Sequence, residues 1–201
     1  MVKIKSFQFG PFGTNTYVVS NAETGSCILI DCAAFDEVER DQLCRYLTSN
    51  HLTPDLLVCT HGHLDHVWGA QWACQRWGLT AYIHEADFRQ IEHLALQQEN
   101  FGLLPRETDF PYRALSDVVF RVHHAPFRVL HTPGHTQGCV CLYCEDEQIL
   151  FSGDTLFDGG YGRTDLPGGN YMQLMESLDR LTKNIPSGTT VYPGHGPHFQ
   201  L

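Results

Sequence analysis

The residues best equipped for chemistry lie in one short run, THGHLDHVWG, at Thr60–Gly69. Within it, His61, His63, Asp65 and His66 bring three imidazoles and one carboxylate into six positions. Neutral imidazoles suit zinc or iron(II), and carboxylates suit harder or bridging positions, so the run reads as metal-ligating. Gly62 lets the backbone bend between ligands. Asp65-His66 opens a helix, where the aspartate can cap free N–H groups and still reach an ion. Three later segments carry the same chemistry: His135 after Thr132-Pro133-Gly134, Asp154 after Ser152-Gly153, and His195 after Tyr192-Pro193-Gly194. Taken singly, each histidine reads as an ordinary loop residue and Asp154 as a turn or cap. Taken together with the HxHxDH run, that reading needs a string of coincidences. Five histidines and two aspartates are too many for one tetrahedral ion and enough for two if one carboxylate bridges.

Ligands so far apart in the chain need a fold that delivers strand ends to one rim. Each follows an apolar, strand-like run: Leu56–Cys59, Phe127–His131, Gln148–Phe151 and Thr189–Tyr192. Further strands are expected at Lys3–Phe9, Tyr17–Val19, Cys27–Ile30, Thr80–Ile83, Val118–Val122 and Cys139–Tyr143, with a turn-rich NAETGS between the second and third strands of the chain. Helical spacing covers Glu37–Ser49, capped by Asp36 and carrying Val38, Leu43, Tyr46 and Leu47 on one stripe. It recurs at Val67–Trp77, which stops at Gly78, at Glu85–Asn100 and at Tyr171–Thr182. Gly102–Ser116 reads as irregular. Strands, a helix, then strands again, twice over, describe an α/β chain of two halves, each a sheet with helices on its outer face. The segments HTPGH and YPGH echo one another, each placing a histidine just past a Pro-Gly turn.

The chain of 201 residues suits one domain, and 42% apolar with 18% charged residues suits a soluble globular one. A formal net charge of −10, without any Lys/Arg-rich run, argues against nucleic-acid binding. Apolar runs such as CILI at 27–30 are too short to span a bilayer. MVKIKSFQFG lacks the apolar segment of a signal peptide, so a cytoplasmic location is expected. Its eight cysteines then read as buried free thiols. Cys141-Leu-Tyr-Cys144 lacks the second pair of a zinc knuckle and the helix start of a redox motif.

THGHLDH, PGHTQG, FSGDTLF and YPGHG, in this order, resemble the metallo-β-lactamase superfamily, and among its branches the small glyoxalase II-like hydrolases. The resemblance runs from Asn15-Thr16-Tyr17 to Gly196, and GDTLFDGGYGRTDLPGG narrows it to that branch. It implies an αββα sandwich, two mixed sheets flanked by helices, with a metal site at one edge between the sheets and residues 1–201 forming the single domain. It implies that His61, His63 and His135 hold one ion, that Asp65, His66 and His195 hold another, and that Asp154 bridges. Asp31, in ILIDCAA, matches a position that supports the site from behind its ligands. The usual Asp-Pro-Gly is here Asp31-Cys32-Ala33. The cofactors implied are two divalent ions, zinc first, with iron or manganese as alternatives.

The implied activity is hydrolysis of a thioester such as an acyl-glutathione, by hydroxide formed from a metal-bound water whose pKa falls to about 7. Asp65 orients the nucleophile. Two ions carry +4 against −3 for Asp65, Asp154 and hydroxide, so the site is positive on an acidic chain and suits small ester-like or anionic substrates. A thiol leaves with a pKa of about 8.5 and needs no dedicated acid. Larger relatives carry a C-terminal helical region that holds glutathione, and it is expected to be absent here, since Leu201 follows His195 closely. Arg163 stands where they place a basic substrate contact, or else it pairs internally with Asp165. His131 and His198 read first as residues outside the site, with support of the site and lining of its mouth as their lesser alternatives, and His84 and His123-His124 read as packing or surface residues. Rival readings are a mononuclear iron persulfide dioxygenase, an ester, lactone or phosphodiester hydrolase of the superfamily, and a non-enzymatic metal-binding module. Oligomeric state is not legible.

Overall fold

Val18 and Val19, or Cys141 and Leu142, are adjacent apolar residues that point to opposite faces of a strand. Strands of this kind must be covered on both sides, and that requirement builds the layers. The computed structural model describes residues 2–21, 25–104, 106, 108–115, 119–122 and 125–201. The NAETGS turn, the first residue of the Val118–Val122 strand and His123-His124 fall wholly or partly outside them.

The first sheet begins as an antiparallel meander of β1 (Val2–Phe9), β2 (Thr14–Asn21) and β3 (Ser26–Ile30). Helix α1 (Glu37–Ser49) crosses to β4 (Thr53–Val58), parallel to β3. Then come α2 (Leu64–Val67), α3 (Ala70–Trp77) and β5 (Ala81–Ile83), and after them α4 (Phe88–Glu92), α5 (Leu94–Asn100) and β6 (Tyr112–Ala114). The second sheet contains β7 (Val119–Val122), β8 (Ala125–His131), β9 (Val140–Cys144) and β10 (Ile149–Gly153), antiparallel in turn. A small hairpin of β11 (Leu156–Phe157) and β12 (Gly160–Tyr161) precedes α6 (Tyr171–Asn184). β13 (Thr190–Pro193) returns parallel to β10, and β14 (Phe199–Gln200) pairs with β13. Each sheet has six strands, ordered β1-β2-β3-β4-β5-β6 and β14-β13-β10-β9-β8-β7.

Three cores match this order. Val18, Leu29 and Leu57 pack with Leu43, Leu47 and Ala73 under the first-half helices. Val19, Ile28, Ile30 and Val58 meet Phe127, Leu142 and Phe151 between the sheets. Cys141, Tyr143 and Leu150 meet Leu181 and Ile185 of α6. The architecture is the αββα sandwich. No helix among the described residues is long and apolar enough to cross a membrane.

Four details differ from the sequence reading. Gly102–Ser116 contains β6, a three-residue strand parallel to β5, too short to show periodicity. The expected helix Val67–Trp77 is two helices, the first starting at Leu64. They part at Gly69, whose N–H donates to Cys32 O at 2.8 Å and where a Cβ would lie 2.9 Å from Cys32 Sγ. The stretch Glu85–Asn100 is a 3₁₀ turn (Glu85–Asp87) followed by α4 and α5, which meet at His93. Asp65 makes no capping hydrogen bond at the start of α2; its carboxylate is committed elsewhere.

Phe151 is fully buried between the sheets, with ring centroids 5.0 Å from Tyr17 and 5.3 Å from Tyr192. Phe151→Ala is expected to lower the unfolding free energy by about 3–5 kcal/mol, read by chemical denaturation. A loss under about 1 kcal/mol would show that the layers collapse onto the gap.

Candidate metal centre

Every proposed ligand sits just past the C-terminal end of a strand. β4 runs into His61, His63, Asp65 and His66, β8 into His135, β10 into Asp154 and β13 into His195. The structure brings all seven together. Ligand atoms of His61, His63 and His135 lie within 4.8 Å of one another, as do those of Asp65, His66 and His195, and those of His61, His66 and Asp154. Asp154 faces both of the first two sets. Its Oδ2 is 3.5 Å from His135 Nε2 and 3.5 Å from His195 Nε2, and its Oδ1 is 3.3 Å from His66 Nε2.

The rings are aimed by what holds their other nitrogens. His135 Nδ1 donates to Arg163 O at 2.7 Å, and His195 Nδ1 to Phe12 O at 3.2 Å. His66 Nδ1 meets Asp31 Oδ2 at 2.9 Å. Thr60 Oγ1 gives its proton to Asp31 Oδ2 at 2.6 Å and so receives one from His61 Nδ1 at 3.2 Å. A donor at Nδ1 leaves a lone pair at Nε2. The Nε2 atoms of His61, His66 and His135, with Asp154 Oδ1, are buried and have no hydrogen-bond partner. Buried polar atoms left bare in this way are costly. Four of them converging from imidazole and carboxylate groups fit a divalent cation.

Electrostatics points the same way. Burial pushes His61 well below its ordinary range, reinforced by His66 and His63. Burial, with His135 behind it, lowers His63 to about 3. Burial would raise Asp65, but His66 and His195 outweigh it and hold the carboxyl at about 2. Burial likewise opposes Asp154, and His66 and His195 hold it well below the usual range. Burial would lower His66 and His195. Asp65, Asp154 and Asp31 instead raise His66 well above its ordinary value, and Asp154 and Asp65 bring His195 to about 9. The pull is toward ionised carboxylates and protonated His66 and His195, and a divalent cation bound here would take the place of those protons.

Asp31 stands behind the ligands, 1% exposed, accepting from Thr60 N at 2.7 Å as well as from Thr60 Oγ1 and His66. Its φ of +54° is left-handed, a conformation aspartate tolerates better than most side chains. Arg163 is turned to its neighbour: Nε and NH2 each lie 2.7 Å from an Asp165 oxygen, an exposed pair of small worth. Its backbone carbonyl holds His135 Nδ1. His131 touches Gln137 O at 2.8 Å and stacks on His84 at 4.0 Å, contacting no ligand. His198 lies on the Tyr192 ring.

Three contributors escaped the sequence reading. Thr14 Oγ1 donates to Asp65 Oδ2 at 2.7 Å. Asn15 Nδ2 donates to Pro193 O and Gly196 O, both at 2.9 Å, binding the His195 turn to the first sheet. Asp87, fully buried, accepts from Gly62 N at 2.8 Å, Thr136 Oγ1 at 2.7 Å and Gly138 N at 2.6 Å, joining the two main ligand loops. The signal for Thr14 and Asn15 was the polar run Thr-Asn-Thr opening an otherwise apolar strand. Close approach of backbone completes the wall. A Cβ at Gly194 would strike Asp154 Oδ1 and lie 2.7 Å from His66 Cε1, and one at Gly162 would strike Asp154 O.

Comparison with known proteins bears on this arrangement. The family model described as the metallo-beta-lactamase superfamily matches residues 9–195. Hydroxyacylglutathione hydrolase GloC of Haemophilus influenzae is 32% identical over 166 residues, covering 81% of this chain and 78% of that protein. The structure of TTHA1623 in a di-iron-bound form superposes with a TM-score of 0.86 at 34% identity, covering 98% of this chain and 94% of that one. BLEG-1 B3 metallo-beta-lactamase gives a TM-score of 0.87 at 29% identity over the same shares.

Asp31→Asn keeps the size and the left-handed backbone while removing the charge behind His66. It is expected to weaken zinc binding about 10- to 100-fold, measured by competition with a chromophoric chelator. Unchanged affinity would mean that Asp31 only shapes the turn.

Proposed function

The chain belongs to the metallo-beta-lactamase superfamily, and from that premise we propose that this metallo-hydrolase is dinuclear and cleaves thioesters of small molecules. The observation that carries the reading is Asp154. A carboxylate whose Oδ2 lies between His135, on the three-histidine set, and His195, with Oδ1 against His66, is placed to be shared by two ions. One ion would be held by His61, His63 and His135, the second by Asp65, His66 and His195, with Asp154 between. Bound there, two divalent ions supply Lewis acidity and an activated water at neutral pH, and zinc, iron or manganese suits these donors. The di-iron form of TTHA1623 supports two ions and keeps iron beside zinc.

The protein's own groups do the rest. Asp65, fixed by Thr14 Oγ1, accepts a hydrogen bond that orients the attacking water. Asp31 and the carbonyls of Arg163 and Phe12 hold the imidazoles so that their free nitrogens do not turn away as charge develops. A thioester suits a site with no separate acid, because a thiol leaves with a pKa of about 8.5. The likeness to GloC, named for hydrolysis of a hydroxyacylglutathione, supports the same bond.

Metal-loaded protein is expected to contain two ions per chain by elemental analysis and to cleave S-lactoylglutathione or simpler thioesters, with β-lactams run in parallel. Asp65→Ala should lower kcat by about a hundredfold or more. Full activity in that variant would remove Asp65 from the mechanism. One iron per chain with oxygen uptake on a persulfide would replace the hydrolase by a dioxygenase.

A further inference from the structure

A cavity of about 580 Å³ adjoins the ligand cluster, within the size range of small-molecule sites. His63 lies on its wall, so the cavity opens directly onto the three-histidine set. One side is the angled pair α4 and α5, contributing Gln90, Leu96 and Phe101; the opposite side is Leu166 and Pro167 from the second half. The walls are fixed in place. Leu64 N donates to Gln97 Oε1 at 2.9 Å, tying α5 to the ligand loop, and Gln90 Nε2 donates to Pro167 O at 2.6 Å across the cavity's edge.

The exposed surface of the lining is mainly apolar, with Arg89, His93, Asn100 and Gln137 as polar groups on the same wall. Leu96 is 50% and Phe101 46% exposed, large apolar side chains that face water over much of their surface. Phe101 also meets Phe12 edge-on at 5.3 Å, and Phe12 stacks on Trp68, which extends the apolar lip along the cluster. Among the described carboxylates on the wall, Asp87 has its oxygens engaged by Gly62, Thr136 and Gly138, so nothing there calls for a cation. Arg163, the expected contact for a polar peptide thiol, lies outside this lining, in an exposed pair with Asp165.

We infer that this cavity receives a bulky apolar substituent carried beside the scissile bond, alkyl or aryl, so that the enzyme selects apolar thioesters over the polar glutathione conjugates. The inference rests on the hydrolase reading above and adds the substrate class. The filled cavity would exclude water from the carbonyl while the substituent leaves water itself.

Two series test it on the metal-loaded protein: acetyl to octanoyl thioesters of one small thiol, and acetyl thioesters of ethanethiol to octanethiol. In one of them kcat/KM should rise about fourfold per methylene until the cavity is full, and the series that rises shows which side of the bond enters. Leu96→Glu and, from the opposite wall, Leu166→Glu should flatten the rise. Val38→Glu, on the exposed face of α1 and 71% accessible, should keep it. Flat series with turnover throughout would overturn the inference and leave the hydrolase standing. If no thioester turns over, the hydrolase reading fails, and titration with octanoate against acetate decides the cavity: octanoate binding no tighter than acetate overturns it.

Discussion

The carboxylate of Asp31 is the constraint on which the site rests. It is a charge with almost no contact with water, and such a group is stable only if its lone pairs are met. Thr60 and His66 meet them, and Thr16 Oγ1 secures the turn by donating to Asp31 O and accepting from Ala33 N. The turn in turn needs small residues. Cys32, Ala33 and Ala34 are fully buried and pack where Gly69 lets two helices part. A Pro-Gly pair is therefore one way to build this corner and Cys32-Ala33 another, provided that the aspartate keeps its left-handed backbone.

From that corner outward, the site is built by assigning the imidazoles of His61, His66, His135 and His195 two jobs. One nitrogen is spent on a carbonyl, a hydroxyl or a carboxylate, and the other is kept for the centre. The sandwich makes this possible because parallel neighbours such as β3 and β4, or β10 and β13, end at the same rim. The loops leaving those ends need only a few residues to converge. Where a side chain would intrude, Gly162 and Gly194 leave room, so part of the inner wall is backbone.

The candidate ligand cluster was legible in the sequence because each of its segments follows an apolar run that stops abruptly, and the end of such a run is a position in space. The layers were legible for a related reason: runs such as CILI and VCLYC leave no polar face. Other features depended on distant partners. Asp87 looks like an ordinary helix-start acid until the fold brings Gly62 and Gly138 to it. The break at His93 leaves no mark because helical spacing persists on both sides of it. Asp65 reads as a cap by position, and Thr14, far upstream, claims it instead. The Arg163–Asp165 pair was readable as one of two alternatives, and only geometry selects between them.

The hydrogen bonds from Asn15 to the His195 turn join residues 178 apart in the chain. Order of synthesis then matters. The loop from His61 to His66 leaves the ribosome with its thiol-rich surroundings long before His195 exists to complete the second ligand set. Through that interval the loop carries only part of each proposed ligand set. The ligand sets therefore become complete only when the last parallel strand docks against β10.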